Sequence, residues 1–359
     1  MNKKSLLIIL CVLCSLFCNL LIANATEELK EYTKVKAYVI EEKVTETNQI
    51  MLQTIRVRIL DGQFKDRIIE FNHRIIEDSK FNIRLHKNMK VFVQLTIENN
   101  QLSNIAFIDV VKDEYLLLLS AIFFILLVIF GGFKGLRSFI ALIITGLCLV
   151  KLFMPMIIKG YSFVFSTIAV SGVIIITSFL LISGFTKKSL CAILGTLGGT
   201  IASGLLAIYF GNLIQLTGVS DETVQILITQ TNLNINYRGL LYSGITIGVL
   251  GAVMDVSMTI TSVIFEIKST NRKTSISKLF FSGLSVGKDI MATMTNTLIL
   301  AYAGTSLPLL FLFSVGEMTL IDIVNTQYIA SEIIRSLCGS IGLLLTIPIT
   351  SLIAAINSR

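Results

Sequence analysis

The chain has no tryptophan, three prolines and two histidines, and only 15% of its 359 residues are charged. Both histidines, His73 and His86, precede residue 114, so the apolar remainder lacks the commonest general base and metal ligand. No HExxH or GxSxG motif occurs, and no glycine pattern follows a strand and opens a helix as a phosphate-binding loop must. His73 and His86 stand thirteen positions apart with no cysteine nearby, a poor basis for a zinc site. The expectation is a protein that is not an enzyme and carries no metal and no cofactor. Scarce proline and the absence of low-complexity tracts exclude extended disorder. Residues 26–113 contain no cysteine, which excludes a disulfide framework there. Cys11, Cys14 and Cys18 lie near the N-terminus, while Cys148, Cys191 and Cys338 are scattered singly through apolar runs, as packing residues are.

What the chain does have is apolar surface. It is 53% hydrophobic, with a mean hydropathy of +0.79, values that fit a polytopic membrane protein. Three regions follow. Residues 1–25 read as a signal peptide: Lys3 and Lys4 precede the apolar Leu6–Ile22, and Ala23-Asn24-Ala25 matches a small-x-small cleavage site. An uncleaved anchor helix is the alternative; a lipoprotein is disfavoured by bulky Phe17 before Cys18. Either way residue 26 onward is expected outside the cytoplasm.

Residues 26–113 form a polar, charge-balanced segment with fourteen acidic and fourteen basic side chains. Apolar and polar residues alternate at period two in YTKVKAYVI, MLQTIRVRIL, KDRIIEF, MKVFVQLTI and LSNIAFIDV, which predicts five strands. Asp61-Gly62 and Asn99-Asn100 supply turns, and an irregular insert is expected around 73–88. The pattern suits a small extracytoplasmic β-barrel resembling an OB-fold, with a sandwich or open meander as alternatives. Balanced charge and export give no case for nucleic acid.

Residues 114–359 form the transmembrane helical domain, with about seven helices of the ~20 residues that a hydrocarbon core requires. The apolar spans are 115–133, 136–154, 163–183, 189–210, 239–265, 290–313 and 333–354. Lys134 and Arg137, Lys187 and Lys188, and Lys268, Arg272, Lys273, Lys278 and Lys288 fall in alternate loops (134–137, 184–189, 266–289), whereas Asp221, Glu222, Glu317 and Asp322 fall in the others. The positive-inside rule then places the N-terminal domain outside the cell membrane and the C-terminus in the cytoplasm. Residues 275–287 read either as an interfacial or re-entrant segment or as a plain loop.

Within GVLGAVMDVSMTITSVIFE (248–266), Gly248, Ala252, Asp255, Thr259, Ser262 and Glu266 share one helical face. A carboxylate near bilayer depth costs at least ~2.5 kcal/mol, so it should face a bundle interior and a partner. In SVGKDIMATMTNTLILAYAG, Ser285, Asp289, Thr293 and Asn296 share a face. Turned together, the two faces would form an oxygen-rich seam suited to a hard cation or a proton. The plainer alternative is that Asn296, Thr293 or a backbone group simply satisfies Asp255. A proton-sharing aspartyl dyad of Asp255 and Asp289 is disfavoured because the spans separate them by ~10 Å along the membrane normal. Lys151, Arg238, Glu332 and Arg335 gather near outer helix ends; Glu332 and Arg335 are spaced to pair, and the cluster could attract an anion. Gly195, Gly199 and Ser203, and likewise Gly244, Gly248 and Ala252, have the four-residue spacing of close helix packing.

The runs GAVMDVSMTITSVIFEIK (251–268), GKDIMATMTNTLILAYAGTSLPLL (287–310) and ASEIIRSLCGSIGLLLTIPITSLIAA (330–355) resemble the YibE/F family of bacterial membrane proteins. GFTKKSLCAILGTLGGTIASGLL and YRGLLYSGITIGVLGAVMDV extend the resemblance over nearly all of the membrane region. It implies a multi-pass protein and leaves the activity open. The expectation is a transporter or permease for a small solute or ion, working through the seam. A non-catalytic scaffold for an envelope or export system is the alternative. The partners expected are the lipid bilayer, a small ion or solute, and another membrane or envelope protein.

Overall fold

A computed structural model describes residues 32–47, 50–76, 83–98, 101–219, 222–231, 235–316 and 318–358. The signal peptide and the Asn99-Asn100 turn lie outside the described residues. The chain divides into two compact units, one ending at Leu126 and the other beginning at Leu127.

The first unit is built on β1 (Tyr32–Thr47), β2 (Ile50–Ile59), β3 (Ile68–Ile76), β4 (Lys90–Glu98) and β5 (Gln101–Val110). All pairings are antiparallel, in the order β3-β2-β1-β4-β5. Strand β1 holds the sheet together by changing partners along its length. Its first half, Tyr32–Tyr38, pairs with β4; the residues from Ala37 onward pair with β2. The register shift between Val39 and Glu41 falls where the partners change, and a bulge there adds twist and bends the strand. The sheet therefore curls. Val35, Ala37, Val39, Ile55, Val57, Ile59, Val91, Val93 and Leu95 point inward and are buried, the outcome of the period-two alternation. Curling brings the His73 ring on β3 to 4.9 Å from the Phe107 ring on β5, yet those two edge strands share no backbone pairing. The expected barrel is thus a half-barrel, open along the β3–β5 seam. Gln53, fully buried, fastens the irregular segment over the core: its amide donates to the Leu85 carbonyl at 3.1 Å and accepts from the Leu85 N–H at 3.0 Å. Gly62 adopts φ +80° in the turn after β2, where the Asp61 carboxylate accepts from the Lys36 N–H.

The helical part comprises α1 (Asp113–Leu147), a π-helical turn (Cys148–Phe153), α2 (Met154–Ile158), α3 (Phe163–Ser183), α4 (Lys187–Leu213), α5 (Glu222–Gln230), α6 (Tyr237–Thr270), α7 (Ile276–Thr305), α8 (Leu307–Val315), α9 (Leu320–Asn325) and α10 (Gln327–Asn357). Among the described residues, five helical segments are long and apolar enough to cross a membrane: Asp113–Ile158, α3, α4, α6 and α10. The pair α7 and α8, bent by 61°, is a sixth candidate. The first segment breaks at Gly132, whose φ 53° and ψ −136° are not helical. A side chain on Gly135 would run into the backbone of Leu127, so the chain folds sharply back across this break. It lies between the two spans that the sequence separates at 133 and 136.

Side-chain caps start four of the long helices: Thr186 for α4, Asn236 for α6, Ser275 for α7 and Thr326 for α10. The Ser275 cap corrects one expectation. The plain-loop alternative for residues 275–287 is not met: from Ile276 they are helical, the first part of α7, and the connection from α6 shrinks to 271–275.

Helices α4 and α10 pack closest. A Cβ on Gly195 would overlap the Thr350 hydroxyl, one on Gly199 the Thr346 hydroxyl, and one on Gly342 would lie 2.5 Å from the Ser203 Cβ. The first small-residue series is therefore a packing seam. The second is not: Gly244 and Gly251 have nothing within 4 Å of an added Cβ, and Gly248 meets only the Tyr302 ring hydroxyl. Behind these contacts Val249, Val253, Val256, Ile260 and Ile264 of α6 pack with Leu279 and Leu298 of α7 and Leu343 and Ile347 of α10.

Candidate functional site

Asp255 lies near the centre of α6, eighteen positions after Tyr237 and fifteen before Thr270. Its side chain is exposed, as are those of Thr259 and Glu266; Ser262 is half-buried. On α7, Asp289, Thr293, Asn296 and Thr297 are exposed too. Each helix buries the opposite side, α6 through Val249, Val253 and Ile260, and α7 through Gly283, Gly287 and Leu298. At 100° per residue, the polar stripes therefore point away from the core of the chain.

No hydrogen bond crosses between the stripes among the described residues. The hydroxyls turn back onto their own helices: Thr259 donates to the Asp255 carbonyl at 2.8 Å, Ser262 to Met258, Thr293 to Ile290 and Thr297 to Thr293. The Asp255 carboxylate has no hydrogen-bond or ion-pair partner among the described residues. The expectation that Asn296, Thr293 or a backbone group satisfies it is not met within one chain.

The helix register also revises the depths. Ile264 packs on Gly283, and the Tyr302 hydroxyl reaches Gly248. Counting between these contacts sets Asp255 level with residues 292–295, hence with Thr293 and close to Asn296. Asp289 is then only about 5–9 Å from Asp255 along the axis, at 1.5 Å per residue. The offset is smaller than the sequence spans imply because α7 starts at Ile276. No hydrogen bond joins the Asp255 and Asp289 carboxylates among the described residues.

At the other end of α10, Arg335 Nη1 lies 3.1 Å from Glu332 Oε1, and both side chains are largely covered. The guanidinium carbon sits 5.8 Å from the Tyr302 ring centre. Arg238 is exposed at the start of α6 and is not part of this pair. Tyr302 is the residue that sequence reasoning missed. It touches α6 at Gly248 and α10 at Arg335, joining the polar face to the charged pair. Its position in AYAG, four residues before the α7 C-cap, gives no periodic signal by itself. No group of three or more His, Cys, Asp or Glu able to hold a metal occurs among the described residues.

This arrangement belongs to a chain whose helical region, residues 119–358, matches the model of the YibE/F-like protein family. Residues 27–110 match the YibE/F family N-terminal domain. The chain belongs to the YibE/F family. No curated protein and no solved structure matches it. The two YibE/F matches meet on either side of residues 111–118, which include the start of α1. The half-barrel is therefore the YibE/F N-terminal domain, and the bundle containing Asp255, Tyr302 and the Glu332–Arg335 pair is the YibE/F-like region.

Proposed function

We propose that this YibE/F chain is a non-enzymatic permease for a small solute or ion, with Asp255 carrying a proton or cation. The observation behind the reading is the Asp255 carboxylate, unpaired among the described residues and central in a helix long enough to span a bilayer. In lipid such a group costs at least ~2.5 kcal/mol, so water or another protein must cover it. Thr259, Ser262, Thr293 and Asn296 add oxygen donors at neighbouring depths, the chemistry that suits a hard cation or a proton. In this reading the break at Gly132 and the bent α7–α8 pair bring the crossings to seven. The half-barrel then stands outside the bacterial cell membrane, and the basic connections after α3 and α6 lie in the cytoplasm.

The test is flux into proteoliposomes of the full chain, using sodium, potassium and a pH-sensitive dye in turn. Asp255→Asn should abolish the flux it carries and remove its pH dependence. Unchanged fluxes across all three would refute the proposal. Asp255→Cys should react with a water-soluble thiosulfonate, whereas Val253→Cys, on the buried face, should not.

A second reading is a scaffold for an envelope or export assembly. It is favoured by the two stripes turning away from the chain's own core, as faces covered by another protein would. It predicts that cysteines at 255 and 296 cross-link between proteins, and that removing residues 26–110 abolishes cellular function. Normal function without those residues would refute it.

A further inference from the structure

Away from the Asp255 face, a cleft with about 80 Å³ of water-accessible room opens between α3, α4 and α6. It lies in the half of the bundle remote from the basic connections at 184–189 and 271–275, because its lining comes from 164–171, 197–208 and 239–246. Val164, Ile168, Ile201 and Leu205 are exposed at its mouth, so it opens on the side where acyl chains would lie. No acidic or basic side chain lines it.

Its floor is made of hydroxyls in two different states. Thr167 donates to the Phe163 carbonyl, Ser243 to Gly239 and Thr246 to Tyr242, and the Thr167 and Ser243 oxygens lie 2.6 Å apart. That is the ordinary i−4 satisfaction of a hydroxyl in an apolar helix. Ser171 and Thr200 differ. They are 2% and 3% exposed, line the cleft, and their hydroxyl oxygens have no partner among the described residues. A buried hydroxyl left unpaired is costly in an apolar medium, and these two belong to side chains that line one cleft. A charged head would be left without a counter-charge, and a plain hydrocarbon would leave both hydroxyls unsatisfied.

We infer that this cleft binds an uncharged amphiphile, an apolar chain bearing a hydroxyl or ester carbonyl that pairs with Ser171 and Thr200. The site is separate from Asp255 and does not depend on the permease reading. It is tested by photolabelling the full chain in nanodiscs with four diazirine probes of equal chain length: an alcohol, an alkane, a carboxylate and a phospholipid labelled on its acyl chain. Labels are located by mass spectrometry. The alcohol should label 164–171 and 197–208 about tenfold more than the alkane or carboxylate, the scale of a hydrogen bond made in a dry site. Labelling of those residues by the phospholipid at the same level identifies the ester carbonyl of a bilayer lipid as the natural occupant; weak phospholipid labelling identifies a free amphiphile. Thr200→Val and Ser171→Ala should each reduce alcohol labelling about five- to tenfold. Ile201→Trp, at the exposed mouth, should block it without disturbing the core. Equal labelling by alcohol and alkane, or labelling indifferent to both hydroxyl variants, would overturn the inference, since water alone would then satisfy the hydroxyls.

Discussion

Replacing Gly199 by alanine tests the packing of α4 on α10 directly. The added methyl would overlap the Thr346 hydroxyl, lie 2.9 Å from the Thr346 Cβ and sit 3.1 Å from the Gly342 carbonyl oxygen. Thr346 is fully buried and donates to that same carbonyl at 2.8 Å. Rotating the threonine away would break its hydrogen bond and still leave its Cβ too close, so the helices must separate. Overpacking of this kind costs about 2–3 kcal/mol, and alanine returns at most about 1 kcal/mol through helix propensity. The expected net loss is about 1–2 kcal/mol. Thr346→Ala alone should cost about 1 kcal/mol for the lost hydrogen bond. In the double variant the hydroxyl overlap is gone while the residue-346 Cβ stays 2.9 Å from the added methyl, so only part of the strain is relieved and the pair should couple favourably by about 0.5–1 kcal/mol. Reversible unfolding of the full chain in bicelles, measured for the four proteins, gives the cycle. A Gly199→Ala protein as stable as the parent, or a coupling of zero, would refute the reasoning.

Two further outcomes concern the half-barrel. Gln53→Leu leaves both backbone groups of Leu85 unpaired in a dry site and should cost about 2–4 kcal/mol; faster amide exchange at residues 83–89 reads it, and unchanged protection there would contradict the bridge. The Lys112 ammonium, 2.7 Å away, and the Val110 N–H hold the Asp109 carboxyl below its ordinary value of 3.8. Because the folded value is the lower one, any stability from this contact is present above about pH 4 and fades as the pH falls through it. A carboxyl titration by NMR with its midpoint at or above 3.8 would refute that.

How far the sequence carries can be judged residue by residue. The inward set Val35, Ala37, Val39 and Val91, Val93, Leu95 follows from strict alternation, since a strand's side chains change face at every residue. Closure does not follow, because it depends on whether two edges distant in sequence meet. They come close enough for His73 to touch Phe107 but not to pair. The segment SISKLFFSGLSVGKDI carries Lys278, Lys288 and Asp289, which read as a loop beside the membrane. The structure makes it helix, since charges tolerated at a bilayer surface are equally tolerated on an exposed helical face.

Two series of small residues show the division most clearly. Gly195, Gly199 and Ser203 carry the same spacing as Gly244, Gly248 and Ala252, yet only the first brings two helices into contact along its length, the second meeting just the Tyr302 hydroxyl at Gly248. Local sequence determines the apolar spans, the caps at Thr186 and Ser275, and the shared face of Asp255, Thr259 and Ser262, because these are short-range properties of hydrophobicity and periodicity. Tertiary structure alone decided which faces are covered. The rotation of a helix about its axis is fixed by the sum of its contacts, and α6 and α7 spend theirs on Val253, Ile260, Gly283 and Gly287, leaving Asp255 uncovered.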